Sequence, residues 1–159
     1  MVHILNSFIP IVLTVFGLYI AHQQYKLNKQ IALLNSQRVK WDLFEKRYKV
    51  YQLTKEILLD ITQENKIDTI KLRDYNFNIR ERVFLFDNDI NDYIQLIIKN
   101  GIDITHSEDK MKREVNQTTP EKWMEMCEEN SKLTRFFSFE YQENIENRFM
   151  KYLNFQTLT

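Results

Sequence analysis

The sequence predicts an all-α protein, with an N-terminal transmembrane helix continuing into a cytoplasmic bundle of long helices. Three observations carry that expectation. Two glycines and two prolines among 159 residues leave little turn chemistry, whereas an all-β fold needs a turn about every ten residues. Leu, Ile, Glu, Lys and Gln are abundant and together favour helix. The first 25 residues contain no Asp, Glu, Lys or Arg. The mean hydropathy of −0.47 averages this apolar end with a polar remainder.

The expected membrane span is Ile4 to Ala21, ILNSFIPIVLTVFGLYIA, where only Asn6, Ser7 and Thr14 are polar. At 1.5 Å per helical residue it just covers a hydrocarbon core about 30 Å thick. Pro10 is tolerable in a bilayer helix, and Tyr19 and Tyr25 stand where aromatic rings favour headgroups. A cleaved signal peptide would need a basic start and small residues before the cleavage point; nothing before Lys26 is basic, and Tyr19 occupies a position that should be small. A buried core helix is the other alternative. Between Lys26 and Lys49 seven basic residues face two acidic ones, Asp42 and Glu45. The positive-inside bias therefore places the rest of the chain in the cytoplasm. The expected division is an anchor over 1–25 and a cytoplasmic helical domain over 26–159, with Lys26 and Lys29 near anionic headgroups.

Beyond the span, Leu27, Ile31, Leu34, Trp41, Phe44, Tyr48, Tyr51 and Leu58 recur at steps of three and four, interrupted by Arg38 and Lys55. That is a heptad-like seam on a helix running to about Asn65. The seam's bulky aromatic positions suit unequal neighbours better than a regular two-stranded zipper, with a parallel coiled-coil dimer as the alternative. Its residues Leu27 to Tyr51 form the candidate face for self-association or a protein partner. Asn65 to Asp68 is expected to turn the chain. Residues 69–86 are read as helix, although Tyr75, Phe77, Ile79 and Val83 also alternate as in a strand; a solitary strand would lack a partner.

Asp87 is the expected N-cap of the next helix, with Asp89 favoured by the helix dipole. Ile90, Ile94, Ile97, Gly101, Ile104, Glu108, Met111 and Val115 keep a three-four rhythm. The helix is expected to pass through Gly101; the alternative is that Gly101 ends it and a loop follows. Thr119-Pro120-Glu121 starts the last helix, with Trp123, Cys127, Phe137, Tyr141, Phe149 and Tyr152 as its buried face.

The run Asp42-Leu43-Phe44-Glu45-Lys46-Arg47-Tyr48-Lys49-Val50-Tyr51 resembles a motif of an uncharacterised family of small bacterial membrane-anchored helical proteins. Phe84-Leu85-Phe86-Asp87 with Ile90 and Tyr93, and Phe149-Met150-Lys151-Tyr152-Leu153, resemble two further blocks in the same order. The resemblance implies a membrane span followed by helices, in a bacterial inner membrane. It carries over no functional residues. The Asn-rich stretch before Phe84 departs from the pattern.

No catalytic constellation is legible. Asp87-Asn88-Asp89-Ile90-Asn91-Asp92 begins like a calcium loop, but Asp92 replaces the required glycine and Ile98 the bidentate glutamate. His3, His22 and His106 lack the paired spacing of zinc ligands. Cys127 is expected to pack as a small hydrophobe, and a single cysteine excludes an intramolecular disulfide. Twenty-two basic and 22 acidic residues cancel, so no global field attracts nucleic acid. The expectation is no cofactor, no metal and no nucleic acid, with membrane lipid and a protein partner or second copy as partners. The function expected is a non-enzymatic, membrane-tethered interaction or scaffolding module. A membrane-acting effector of the toxin or antiphage type, oligomerising through its span, is the alternative, and an enzyme comes third.

Overall fold

The computed structural model of the chain describes residues 2–114 and 119–154, and side chains at Pro10 and from Val12 onward. All regular structure among them is helical: α1 (Val2–Glu64), α2 (Thr69–Asn78), α3 (Arg82–Leu85), α4 (Asn88–Glu114), α5 (Pro120–Phe139), a π-helical turn (Glu140–Asn144) and α6 (Ile145–Leu153). The all-α expectation holds. The chain divides into two compact units, Met1–Trp41 and Asp42–Thr159. This division follows packing, whereas the one at residue 25 follows polarity.

The first unit is helical from Val2, and its described side chains from Pro10 to Val39 are all exposed. Thr14 Oγ1 donates to the Pro10 carbonyl at 2.7 Å. Among the described residues no helix is long and apolar enough to cross a membrane. Part of the expected span, the side chains of residues 4–9 and 11, lies outside the described residues.

In the second unit α1 buries Val50, Thr54, Ile57, Leu58 and Ile61. Of the seam only Leu58 is fully buried here; Phe44 and Tyr51 are half-buried and Tyr48 is exposed, so the core takes a neighbouring set of α1 residues. The physical reason is Thr54. Its hydroxyl is satisfied twice, 2.7 Å from the Val50 carbonyl and 3.0 Å from Tyr75 Oη, so a polar residue occupies the core at little cost. The aliphatic residues in phase with it then take the inside.

Asn65 ends α1 at φ 52°, a left-handed conformation that Asn tolerates better than most residues. Asp68 caps α2, its carboxylate accepting from the Ile70 N–H at 2.8 Å. Residues 69–85 are therefore helical apart from a short turn, as the helix reading has it. Leu72, Tyr75 and Ile79 point inward. Helix α4 passes through Gly101 and buries Ile90, Tyr93, Ile94, Ile97 and Ile104. Its expected rhythm is met up to Ile104; Val115 lies outside the described residues. Thr119 stands at the N-cap position of α5 without a side-chain capping bond, and Pro120 lies in the first turn.

The last expected helix is interrupted by the π-helical turn, which inserts one extra residue. Phe137, Ile145, Phe149 and Tyr152 are buried, but Trp123, Cys127 and Tyr141 are only half-buried, and Met126 takes an inside position. Trp123 and Cys127 precede the turn and flank the inner face of α5, which Met126 and Phe137 define about three turns apart. The resulting core is dominated by isoleucine and aromatic side chains, each contributing roughly 1.5–3 kcal/mol on full burial.

Candidate interaction surfaces

In the first unit, Leu27, Ile31, Leu34 and Trp41 are 55%, 45%, 61% and 57% exposed. A helix that leaves four large apolar side chains in water along one stripe has a face suited to covering by another surface. Lys26 and Lys29 are exposed beside it and, with Gln30 and Leu33, border a shallow cleft of about 430 Å³.

In the second unit, Phe44 and Tyr48 stack with ring centres 5.8 Å apart, and Tyr51 lies 5.8 Å beyond Tyr48. Tyr48 and Tyr51, with Met150 and Leu153 of α6, line an open cleft of about 440 Å³ edged by Glu146 and Asn154. Lys55 holds Glu146 at 2.9 Å on its rim.

On α1 in the same unit, half-buried Arg47 reaches two other segments. Its Nε donates to the Leu85 carbonyl at 2.8 Å and its Nη1 to the Tyr152 carbonyl at 3.4 Å. The guanidinium carbon also lies 5.9 Å from the Phe86 ring centre and 5.4 Å from that of Tyr152. Phe86 in turn meets the rings of Phe149 and Tyr152 edge to face, at 5.5 and 5.1 Å. Tyr152 Oη lies 2.8 Å from Asp87 Oδ2 and 2.6 Å from Asp89 Oδ1, its one O–H shared between the two carboxylates, and Lys151 Nζ reaches Asp89 at 2.9 Å. The hydrogen bond from Tyr152, and then the one from Lys151, holds the Asp89 carboxyl below the usual carboxylate range. Burial, reinforced by Asp89, pushes the Tyr152 phenol up to about 12. Asp87 stands at the expected start of α4, its carbonyl accepting from the Asn91 N–H. The three motif blocks, far apart in sequence, thus meet at one place. Arg47 was legible only as part of a basic run; its position inside an aromatic-flanked helical motif was the usable signal.

Two further polar groups are buried without having been singled out in the sequence. Arg82 is 5% exposed; its Nη1 touches Asn76 Oδ1 and the Ile79 carbonyl, each at 3.4 Å, and its Nε has no hydrogen-bond partner among the described residues. Burial lowers its pKa. Glu140, at the π-helical turn, is buried; Asn144 donates to both its oxygens, at 3.0 and 2.8 Å, and Arg148 Nε lies 3.8 Å away. Tyr93 Oη is buried nearby without an ordinary hydrogen bond among the described residues, and burial together with the Glu140 carboxylate pushes its pKa up. These groups fix side chains within the core rather than line an accessible cavity.

Among the described residues no cluster of His, Cys, Asp and Glu could hold a metal ion. His106 is exposed, on a cleft of about 700 Å³ between α4 and α5 whose acids and bases are interspersed. Cys127 is a free, half-buried thiol. Comparison with protein-family models, with curated proteins and with solved structures finds no match to this chain.

Proposed function

We propose that this chain is a non-enzymatic, membrane-tethered interaction module. Residues 4–21 anchor it in an inner membrane with the N-terminus outside, and its helical domain offers apolar surface to a protein partner on the cytoplasmic side. The observation that carries the reading is the exposed stripe Leu27–Trp41, which follows an uncharged sequence along one continuous helix. The anchor itself rests on sequence: it needs the apolar residues of 4–9 and 11 as well as the described ones. Lys26 and Lys29 stand at its cytoplasmic end, where each basic residue gains about 1 kcal/mol near anionic headgroups.

Tethering confines partners to a surface and raises their effective concentration, so even a modest apolar stripe suffices for association. We further propose kinship with the membrane-anchored helical family that the motif run resembles. Its support is the meeting of the three blocks at Arg47. The test uses the full chain with a C-terminal tag in native membranes. Protease added to spheroplasts is expected to leave the tag intact, and protease added to inverted vesicles to remove it. Chemical cross-linking in those membranes is expected to trap a larger species. A monomer under all cross-linking conditions, or a tag cleaved from outside, contradicts the reading.

A further inference from the structure

We propose that the stripe is one half of a parallel, in-register, two-stranded coiled coil, so that the partner of this face is a second copy of the chain; this deepens the interaction role proposed above. Leu27, Ile31, Leu34, Arg38 and Trp41 follow at steps of four, three, four and three. All five are exposed. Ile31 falls at the a position, with Leu27 and Leu34 at d, the combination that favours two parallel strands. The same phase runs upstream through Leu13, Gly17, Ile20 and Gln24, with the polar Gln24 at the a position between Ile20 and Leu27. At Gly17 a Cβ would meet nothing within 4 Å, and small residues at such positions let two membrane helices approach closely.

The second observation is the chemistry of the edges. Gln23, Gln30 and Gln37 recur every seven residues on one side of the seam, and Asn28 and Asn35 every seven on the other. In a parallel pair, g residues of one strand face e residues of its partner. Gln23 then meets Asn28 of the second copy, and Gln30 meets Asn35. Amides both donate and accept, so identical strands match without like-charge repulsion. The nearby cations Lys26, Lys29 and Lys40 fall at the outward c and f positions. Gln24 and Arg38 at a positions cost stability but set register, as polar a residues do.

The test is disulfide trapping of the full chain in membranes, with the native thiol removed by Cys127→Ser. Leu27→Cys and Ile31→Cys are expected to form disulfide-linked dimers, and Lys29→Cys, on the outward face, to form none. An antiparallel pair centred on Leu34 gives the dimer at Leu34→Cys but loses it at Leu27→Cys, and overturns the proposal. So does equal trapping at all positions, or trapping at none. With Leu27→Cys present, Gln30→Glu/Asn35→Glu is expected to weaken the dimer and Gln30→Glu/Asn35→Lys to restore it. Equal dimer in both overturns the pairing. Carbonate extraction of the same samples separates the two ideas: a released chain that still traps at Leu27→Cys loses its tether and keeps its seam, whereas a retained chain that never traps keeps only the tether.

Discussion

Arg47 Nε donates to the carbonyl oxygen of Leu85 at 2.8 Å, across 38 residues of sequence. The bond joins α1 to the end of α3, and the same guanidinium reaches the Tyr152 carbonyl at the end of α6. One side chain with a planar fork of donors thus ties three chain segments together.

Arg47→Lys keeps the charge but not the fork, and Arg47→Ala removes both. Each is expected to destabilise the domain, by about 1–3 kcal/mol for the alanine variant and by less for lysine. The midpoint of urea unfolding measures it. Equal stability of all three proteins contradicts the central place given to Arg47.

Tyr152→Phe removes the one O–H that Asp87 and Asp89 share and is expected to cost about 1–2 kcal/mol near neutral pH. The pH dependence has a defined sign. The Tyr152 phenol is raised from 10.0 to about 12 in the fold, so its contribution is complete below pH 10 and lost as pH climbs toward 12. Asp89 is lowered, so its contribution is present above the usual carboxylate pKa and lost as pH falls through its folded value. Thermal unfolding recorded against pH is expected to show both flanks, with the acid and alkaline losses reduced in Tyr152→Phe.

Thr54→Val leaves Tyr75 Oη buried without its partner and is expected to cost about 1–3 kcal/mol. Adding Tyr75→Phe is expected to recover part of that loss, because both polar atoms are then gone. A double-mutant cycle on unfolding free energies measures the coupling; strict additivity counts against it.

Gly101→Ala is expected to stabilise the domain by about 0.5–1 kcal/mol, since alanine is the better helix former. The added Cβ meets Leu72 Cδ1 and Cδ2 at 3.6 Å and Ile67 Cγ2 at 3.7 Å, which is ordinary contact. A lower melting temperature would show that α2 and α4 pack closer than those distances.

Much of this fold was open to reading in the residues. Helix α4 was legible because Ile90, Ile94, Ile97 and Ile104 keep one phase and Gly101 does not break it. Residues 69–85 were readable as helix, since a lone strand has no ladder to join. The core face of α1 beyond Trp41 was not legible, because it centres on Thr54, a polar residue whose core position depends on a partner 21 residues away. The misreading in the last helix has a different origin: Met126 and Phe137 set the inner face of α5, and Trp123 and Cys127 stand at its edges, where apolar bulk alone does not tell edge from centre. Arg47 escaped for a related reason, since its acceptors are backbone carbonyls, which any sequence supplies.

The most direct measurement is alkaline carbonate extraction of membranes from cells making the full chain. The account predicts that the protein stays in the pellet with integral membrane proteins and leaves it only with detergent. Recovery of the intact chain in the carbonate supernatant would contradict the tether and the cytoplasmic-surface role built on it.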